Sequence, residues 1–253
     1  MGALAISVGA AILMLVGAWI GILLRRSLPD HHLNEHSKDV VRLGSGLVAT
    51  ITALVLGLLI TSAKNTYDIQ RNEVRQIAAK MVLLDNQLKR YGPEALPARE
   101  LHRQALAPVV DRIWGQRALK STTGAPYQPG VEGDRVYAAI EALAPQNELQ
   151  HNLKLRALAT TAAITESRVL LFEESEGGLP KTLLAVVVFW LTILFAGFTL
   201  FSPINPTSGA VLMLIALSAA GAIFLILELN EPFSGLMQIS PEPLRRALGV
   251  LGP

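Results

Sequence analysis

Four strongly apolar stretches dominate the sequence, and each is about as long as a lipid bilayer is thick. They cover residues 3–24, 43–63, 182–202 and 208–229. About 20 helical residues span the roughly 30 Å of bilayer hydrocarbon, because each residue adds about 1.5 Å. Lipid offers the backbone no hydrogen-bond partner, so such stretches cross it as helices, and no strand-like alternation indicates a barrel. The sequence therefore predicts a membrane protein with four spans.

A long polar segment between the second and third stretches carries two helical seams, in which apolar or small residues recur at steps of three and four. The first seam consists of Val74, Ile77, Met81, Leu84, Leu88 and Tyr91. The second consists of Leu155, Leu158, Ala162, Thr165, Val169 and Phe172. We expect two long helices that pack together through these seams, with shorter amphipathic helices over 98–120 and 134–143 between them.

These lengths predict an all-α fold, in which four transmembrane helices carry an extramembrane helical layer inserted between spans 2 and 3. We divide the chain into a first transmembrane hairpin (1–63), a soluble helical insert (64–179), a second transmembrane hairpin (180–230) and a C-terminal tail (231–253). Two glycines in the first span, Gly17 and Gly21, have the four-residue spacing that lets a second helix approach closely. The alternative is that these glycines are incidental.

Composition narrows the classes of function. Lys and Arg total 22 and Asp and Glu total 20, and a net charge of only +2 does not favour nucleic acid as a partner. Cysteine is absent, which excludes disulfides and thiolate chemistry. The sequence contains no dinucleotide-binding glycine motif, phosphate loop, serine elbow or zinc-protease helix motif. We therefore predict that the protein is not an enzyme and needs no cofactor.

One compact group of titratable residues lies in the first loop: Asp30, His31, His32, Glu35 and His36. Here His32 and His36 could lie one helical turn apart, as metal ligands do. Solvated side chains are the favoured interpretation, because the loop is short and no second shell of partners is evident. We predict no metal site.

The second span carries a mixed stripe at helical spacing. It consists of Thr50, Leu54, Gly57, Thr61 and Lys64. Such a stripe suits the lining of a water-filled pathway, because it combines hydroxyl groups, a glycine and an apolar side chain and ends at a cation. The other interpretation is a packing face of small residues between helices. Both remain open on the sequence alone.

No ionisable residue lies near the middle of a span, which disfavours proton-coupled transport through a buried carboxylate. The nearest is Glu228 at the end of the fourth span. We expect it to be hydrated at the membrane interface, and the alternative is a structural role in capping neighbouring helices.

The segment after the fourth span runs Glu-Leu-Asn-Glu-Pro-Phe-Ser-Gly from Glu228 to Gly235. It resembles the sequence after the last membrane helix of bestrophins, in which a Glu precedes a Pro-Phe-Gly turn. With residues 39–67, which include Leu-Gly-Leu-Leu-Ile at 56–60, it makes the chain similar to the bacterial bestrophin-like family. The resemblance implies that Pro232, Phe233 and Gly235 form a turn that packs the tail against the subunit.

The resemblance also implies a ring-shaped homo-oligomer, a pentamer in bestrophins, whose second spans surround a pore for inorganic anions. The chain departs from animal bestrophins at Ser234 and in lacking the acidic string of the calcium clasp, so calcium gating is not expected. In bestrophins, aromatic residues of the second span line the neck of the pore. This chain has no aromatic residue between Val40 and Tyr67, so we do not expect the same neck here.

We therefore predict a homo-oligomeric anion channel in the bilayer. The alternative is a non-conducting membrane scaffold or sensor whose long helices bind a partner. The resemblance and the larger number of basic residues flanking the spans on the insert side favour a bacterial inner membrane location, with the insert and both termini cytoplasmic.

Overall fold

The computed structural model describes residues 2–29, 35–114, 131–176, 181–201 and 205–250. In these ranges the chain is built from helices, with a short 3₁₀ turn at Pro93–Ala95. The helices are α1 (Ala3–Ser27), α2 (Glu35–Tyr91), α3 (Leu96–Trp114), α4 (Val131–Glu141), α5 (Glu148–Glu176), α6 (Lys181–Phe201), α7 (Pro206–Leu229) and α8 (Glu242–Val250).

Four of these helices, α1, α2, α6 and α7, are long and apolar enough to cross a membrane. The predicted four-span, all-α fold is confirmed. The chain divides into a membrane unit, formed by residues 1–67 and 179–237, and an extramembrane unit, formed by residues 68–178 and 238–253. Helix α2 contributes to both units.

In the membrane unit, α1 packs against α6 and α7 through a stripe of mostly small residues. Side chains at Gly17 and Gly21 would run into the Thr192 and Ala196 carbonyl oxygens of α6. The Thr199 hydroxyl of α6 donates to the Ala18 carbonyl oxygen across 2.7 Å. The interpretation of Gly17 and Gly21 as a helix contact is therefore confirmed.

Helix α2 joins this unit by one side only. Two of its residues, Leu59 and Ala63, pack into a cluster with Val187 of α6 and with Ile226 and Leu229 of α7. In the most apolar part of α2 only 11% of the residues are buried, against 22–33% in the other three spans. Most of this span is therefore left uncovered by its own chain.

In the extramembrane unit, the predicted seam of α2 is confirmed in full, since all six of its residues are buried. Polar contacts fix its neighbours in register. The Lys80 ammonium donates to the Ser167 hydroxyl of α5 across 2.7 Å. The Arg99 guanidinium of α3 binds the Asp85 carboxylate with two bonds of 2.8 and 3.1 Å.

The predicted seam of α5 is wrong. One of its members, Leu155, is 52% exposed, and Ala162 is also exposed. The side chain of Phe172, another member, lies outside the described residues. The buried residues are instead Leu153, Ala157, Thr160, Thr161, Ile164, Ser167 and Leu171. Alanine and hydroxyl side chains make up four of these seven residues.

Candidate functional site

The stripe predicted on the second span forms one face of α2, and no other described part of the chain covers it. All five of its residues are exposed, with Leu54 at 70%. The neighbouring Leu58, which the sequence analysis did not single out, is 65% exposed. On the other side of the same turns, Thr52, Leu59 and Ala63 are buried. Helix α2 therefore has one face for its own subunit and one open face.

Both threonines of the open face are bonded within their own helix. The Thr50 hydroxyl donates to the Gly46 carbonyl oxygen and the Thr61 hydroxyl to the Gly57 carbonyl oxygen, each across 2.9 Å. Because both hydroxyl protons are used in this way, each threonine side chain presents its methyl group and its oxygen lone pairs to the outside. Lys64 follows one turn later with an exposed side chain that also has a partner.

The turn after the fourth span is built around Glu228. Its carboxylate is buried, with 7% of the residue exposed, and accepts hydrogen bonds from the backbone N–H groups of Leu236 (2.7 Å) and Met237 (3.3 Å). The expected hydration of Glu228 is therefore wrong. Its role is structural, as in the alternative, but the carboxylate binds backbone N–H groups of the following turn and does not cap a neighbouring helix. The turn folds back over the carboxylate and replaces water as its hydrogen-bond donor.

The other three turn residues that the sequence analysis named also take part in this arrangement. Pro232 and Phe233 are buried. Gly235 has a φ of +82°, and a Cβ there would lie 2.5 Å from the Glu228 Oε2. Only glycine combines that backbone conformation with so close an approach. These four residues bring the chain back against the end of α7.

That the first-loop histidines bind no metal stays a prediction. His32 lies outside the described residues, as does the side chain of His36. Within the described ranges, no group of three or more His, Asp or Glu side chains is arranged to hold a metal ion.

The family model for the Bestrophin-like domain matches residues 11–244, which include most of the first membrane hairpin, the whole of the second and the Glu228 turn. The chain belongs to the bestrophin-like family. This confirms the resemblance found in the sequence. None of the curated proteins matches the chain.

Solved structures with the same fold include bacterial bestrophin homologues from Klebsiella pneumoniae. The zinc-phased crystal structure has a TM-score of 0.61 at 16% identity and covers 95% of this chain and 96% of that chain. Two single-substitution variants give TM-scores of 0.66 at 14% identity and 0.64 at 16% identity. Coverage is 96% and 97% of the two chains for the first variant, and 99% and 97% for the second. At this identity the likeness shows the fold, and the bestrophin-like chain is a membrane protein of that fold.

Proposed function

We propose that this bestrophin-like chain assembles as a ring-shaped homo-oligomer, a pentamer by analogy with its family, in which α2 lines a central pathway for inorganic anions. The observation that carries the proposal is the open face of α2, with Thr50, Leu54, Gly57, Thr61 and Lys64 all exposed on a span that its own subunit hardly covers. In a ring, copies of this face meet around the axis.

The chemistry of the face divides the pathway into a barrier and an entrance. Rings of Leu54 and Leu58 would form an apolar constriction, which restricts ions by excluding water. A ring of Lys64 would raise the local concentration of anions at the end of the constriction. The threonine hydroxyls, which donate to their own helix, suit weak, transient contact with a passing ion.

The proposal places the protein in a bacterial inner membrane, with the insert and both termini in the cytoplasm. It assigns an ion channel and no enzymatic role, so no cofactor is required. The Glu228 turn has a structural part in it, because its carboxylate is fully engaged by backbone N–H groups.

The first experiment combines the mass of the purified protein in detergent with chloride flux in liposomes. A ring with flux is the expected result. A monomer or dimer without flux would instead support the alternative of a membrane scaffold or sensor that binds a partner.

Two substitutions test the pathway itself. Leu54→Thr places a hydroxyl in the constriction and should increase chloride flux, whereas Leu217→Thr, at an equally open position of α7 with 59% exposure, should leave it unchanged. Lys64→Glu should shift the reversal potential toward cations. Unchanged selectivity in that variant would remove Lys64 from the pathway.

A further inference from the structure

A small cavity lies inside the extramembrane unit, where α2, α3, α4 and α5 come together. Its volume is about 30 Å³. Its apolar wall is formed by Met81, Leu84, Ala105, Val136 and Ile164. Its polar wall is formed by His102, Thr161, Thr165 and Arg168, with Gly133 beside them. A cavity of this size holds one or two particles the size of a water molecule.

Arg168 differs from the other basic side chains of this unit. In the part of the unit that the structure describes, four basic side chains are half-buried: Lys80, Arg99, Lys154 and Arg168. The first binds Ser167 and a carbonyl oxygen, the second binds Asp85, and the third donates to two carbonyl oxygens. Arg168 makes no hydrogen bond or ion pair with any described residue. Its charge is therefore the uncompensated one, and it lines the cavity.

Among the described residues, no carboxylate lines the cavity with it. The carboxylate whose charge acts on His102 is that of Asp85, which is occupied by the bidentate bond from Arg99. His102 is 4% exposed, and its Nε2 donates to the Met81 carbonyl oxygen across 3.0 Å. Burial lowers the pKa of His102, so the ring is neutral at physiological pH. The lining thus carries one net positive charge against largely apolar walls.

We propose that this cavity binds a small inorganic anion of halide size, with the Arg168 guanidinium as its charge partner. The largely apolar lining lowers the local dielectric constant, which strengthens the attraction between the guanidinium and an anion. The Thr161 and Thr165 hydroxyls donate to backbone carbonyl oxygens of α5 across 2.8 and 3.2 Å. A hydroxyl proton can rotate, so either group can turn to donate to the anion. The small volume excludes nucleotides and other large anions.

The bound anion would join α5 to the elements around the cavity and so favour the folded extramembrane unit. This binding does not depend on conduction, because every lining residue belongs to the extramembrane unit and none to the open face of α2. Binding and flux can therefore be tested, and can fail, separately.

The test uses the full chain in detergent, with sodium bromide replacing sodium gluconate at constant ionic strength. The melting temperature of the wild type should rise with bromide, because a ligand that binds only the folded state stabilises it. In Arg168→Gln the apparent affinity for bromide should fall at least about tenfold, as expected when a charge-assisted hydrogen bond is lost. Arg156→Gln removes an exposed charge of the same helix and should retain the wild-type response.

Anomalous diffraction from crystals grown in bromide locates the ion directly. A bromide peak is expected between His102 and Arg168 in the wild type, and its absence would overturn the proposal. A wild-type bromide response in Arg168→Gln would also overturn it. If Arg168→Gln does not fold, Thr165→Val serves instead, because it removes one hydroxyl at nearly constant volume. That variant should bind bromide more weakly, and unchanged affinity would contradict the assignment.

Discussion

The contact between α1 and α6 allows a sharp test of how the membrane helices are held together. A methyl group at Gly21 would overlap both the Thr199 hydroxyl and the Ala196 carbonyl oxygen of α6. A carbonyl oxygen is part of the helix backbone and cannot move aside as the tip of a long side chain can. Gly21→Ala therefore has to push α1 away from α6, at the place where Thr199 donates to the Ala18 carbonyl oxygen.

The size of the effect follows from three terms. Overpacking a close contact costs about 1–3 kcal/mol. Losing an interhelical hydrogen bond within a membrane costs about 0.6 kcal/mol. Alanine is favoured over glycine in a helix by about 1 kcal/mol, which offsets part of this loss. The free energy of unfolding should therefore fall by about 0.6–2.6 kcal/mol in Gly21→Ala.

The matched control is Gly9→Ala in the same helix, because a Cβ at Gly9 meets nothing within 4 Å. That variant keeps the propensity gain of about 1 kcal/mol without the clash, so it should be as stable as the wild type or more stable. Both variants can be compared by titrating SDS into mixed micelles and following helical circular dichroism. If Gly21→Ala proved as stable as Gly9→Ala, close packing would not explain the glycine.

The other predictions concern the Glu228 turn and the extramembrane unit. Gly235→Ala should lower the free energy of unfolding by about 1–3 kcal/mol, because of its positive φ and the adjacent Glu228 carboxylate. Unchanged SDS titration would contradict this. Asp85→Asn should cost about 1–3 kcal/mol in thermal unfolding by weakening the partly buried pair with Arg99. Burial lowers the pKa of His102 in the folded protein, so the unfolded protein takes up a proton at this residue at a higher pH than the folded one does. The free energy of unfolding therefore falls as the pH drops below about 6.5. His102→Gln cannot titrate, so its melting temperature should depend less on pH between about 7.5 and 5.5; an unchanged slope would exclude His102 as the cause.

The buried face of α2 outside the membrane could be read from the sequence because that part of the helix is sparsely apolar. Val74, Ile77 and Leu84 stand among charged and amide residues, so only one face can be buried. In α5 the same reasoning selected the wrong face. Apolar residues there lie all around the helix, and Leu153 is buried while Leu155 is exposed. Small or hydroxyl-bearing residues such as Ala157 and Thr161 are buried there, so hydrophobicity alone does not mark the buried face.

The Glu228 turn shows a different limit. The family resemblance drew attention to the right residues, but a carboxylate beside Asn230 and Glu231 reads as a hydrated group when local sequence alone is considered. Its actual partners are backbone N–H groups eight and nine residues later. Backbone donors carry no side-chain signature, so this bond cannot be seen in a residue pattern. Gly235 was the available signal, because glycine is the usual residue where the chain adopts a left-handed conformation.

Exposure on the membrane half of α2 requires a different argument from exposure in water. In hydrocarbon an uncovered leucine costs nothing, so the 70% exposure of Leu54 and the 59% exposure of Leu217 are equally compatible with lipid. The two positions differ in sequence context, because Leu54 lies between Thr50 and Thr61 on a face that leads to a cation. Threonine at a lipid-facing site bonds to its own helix and leaves transport unaffected. At a constriction the same hydroxyl admits water, and therefore only a pore-lining residue should respond in flux to the same substitution.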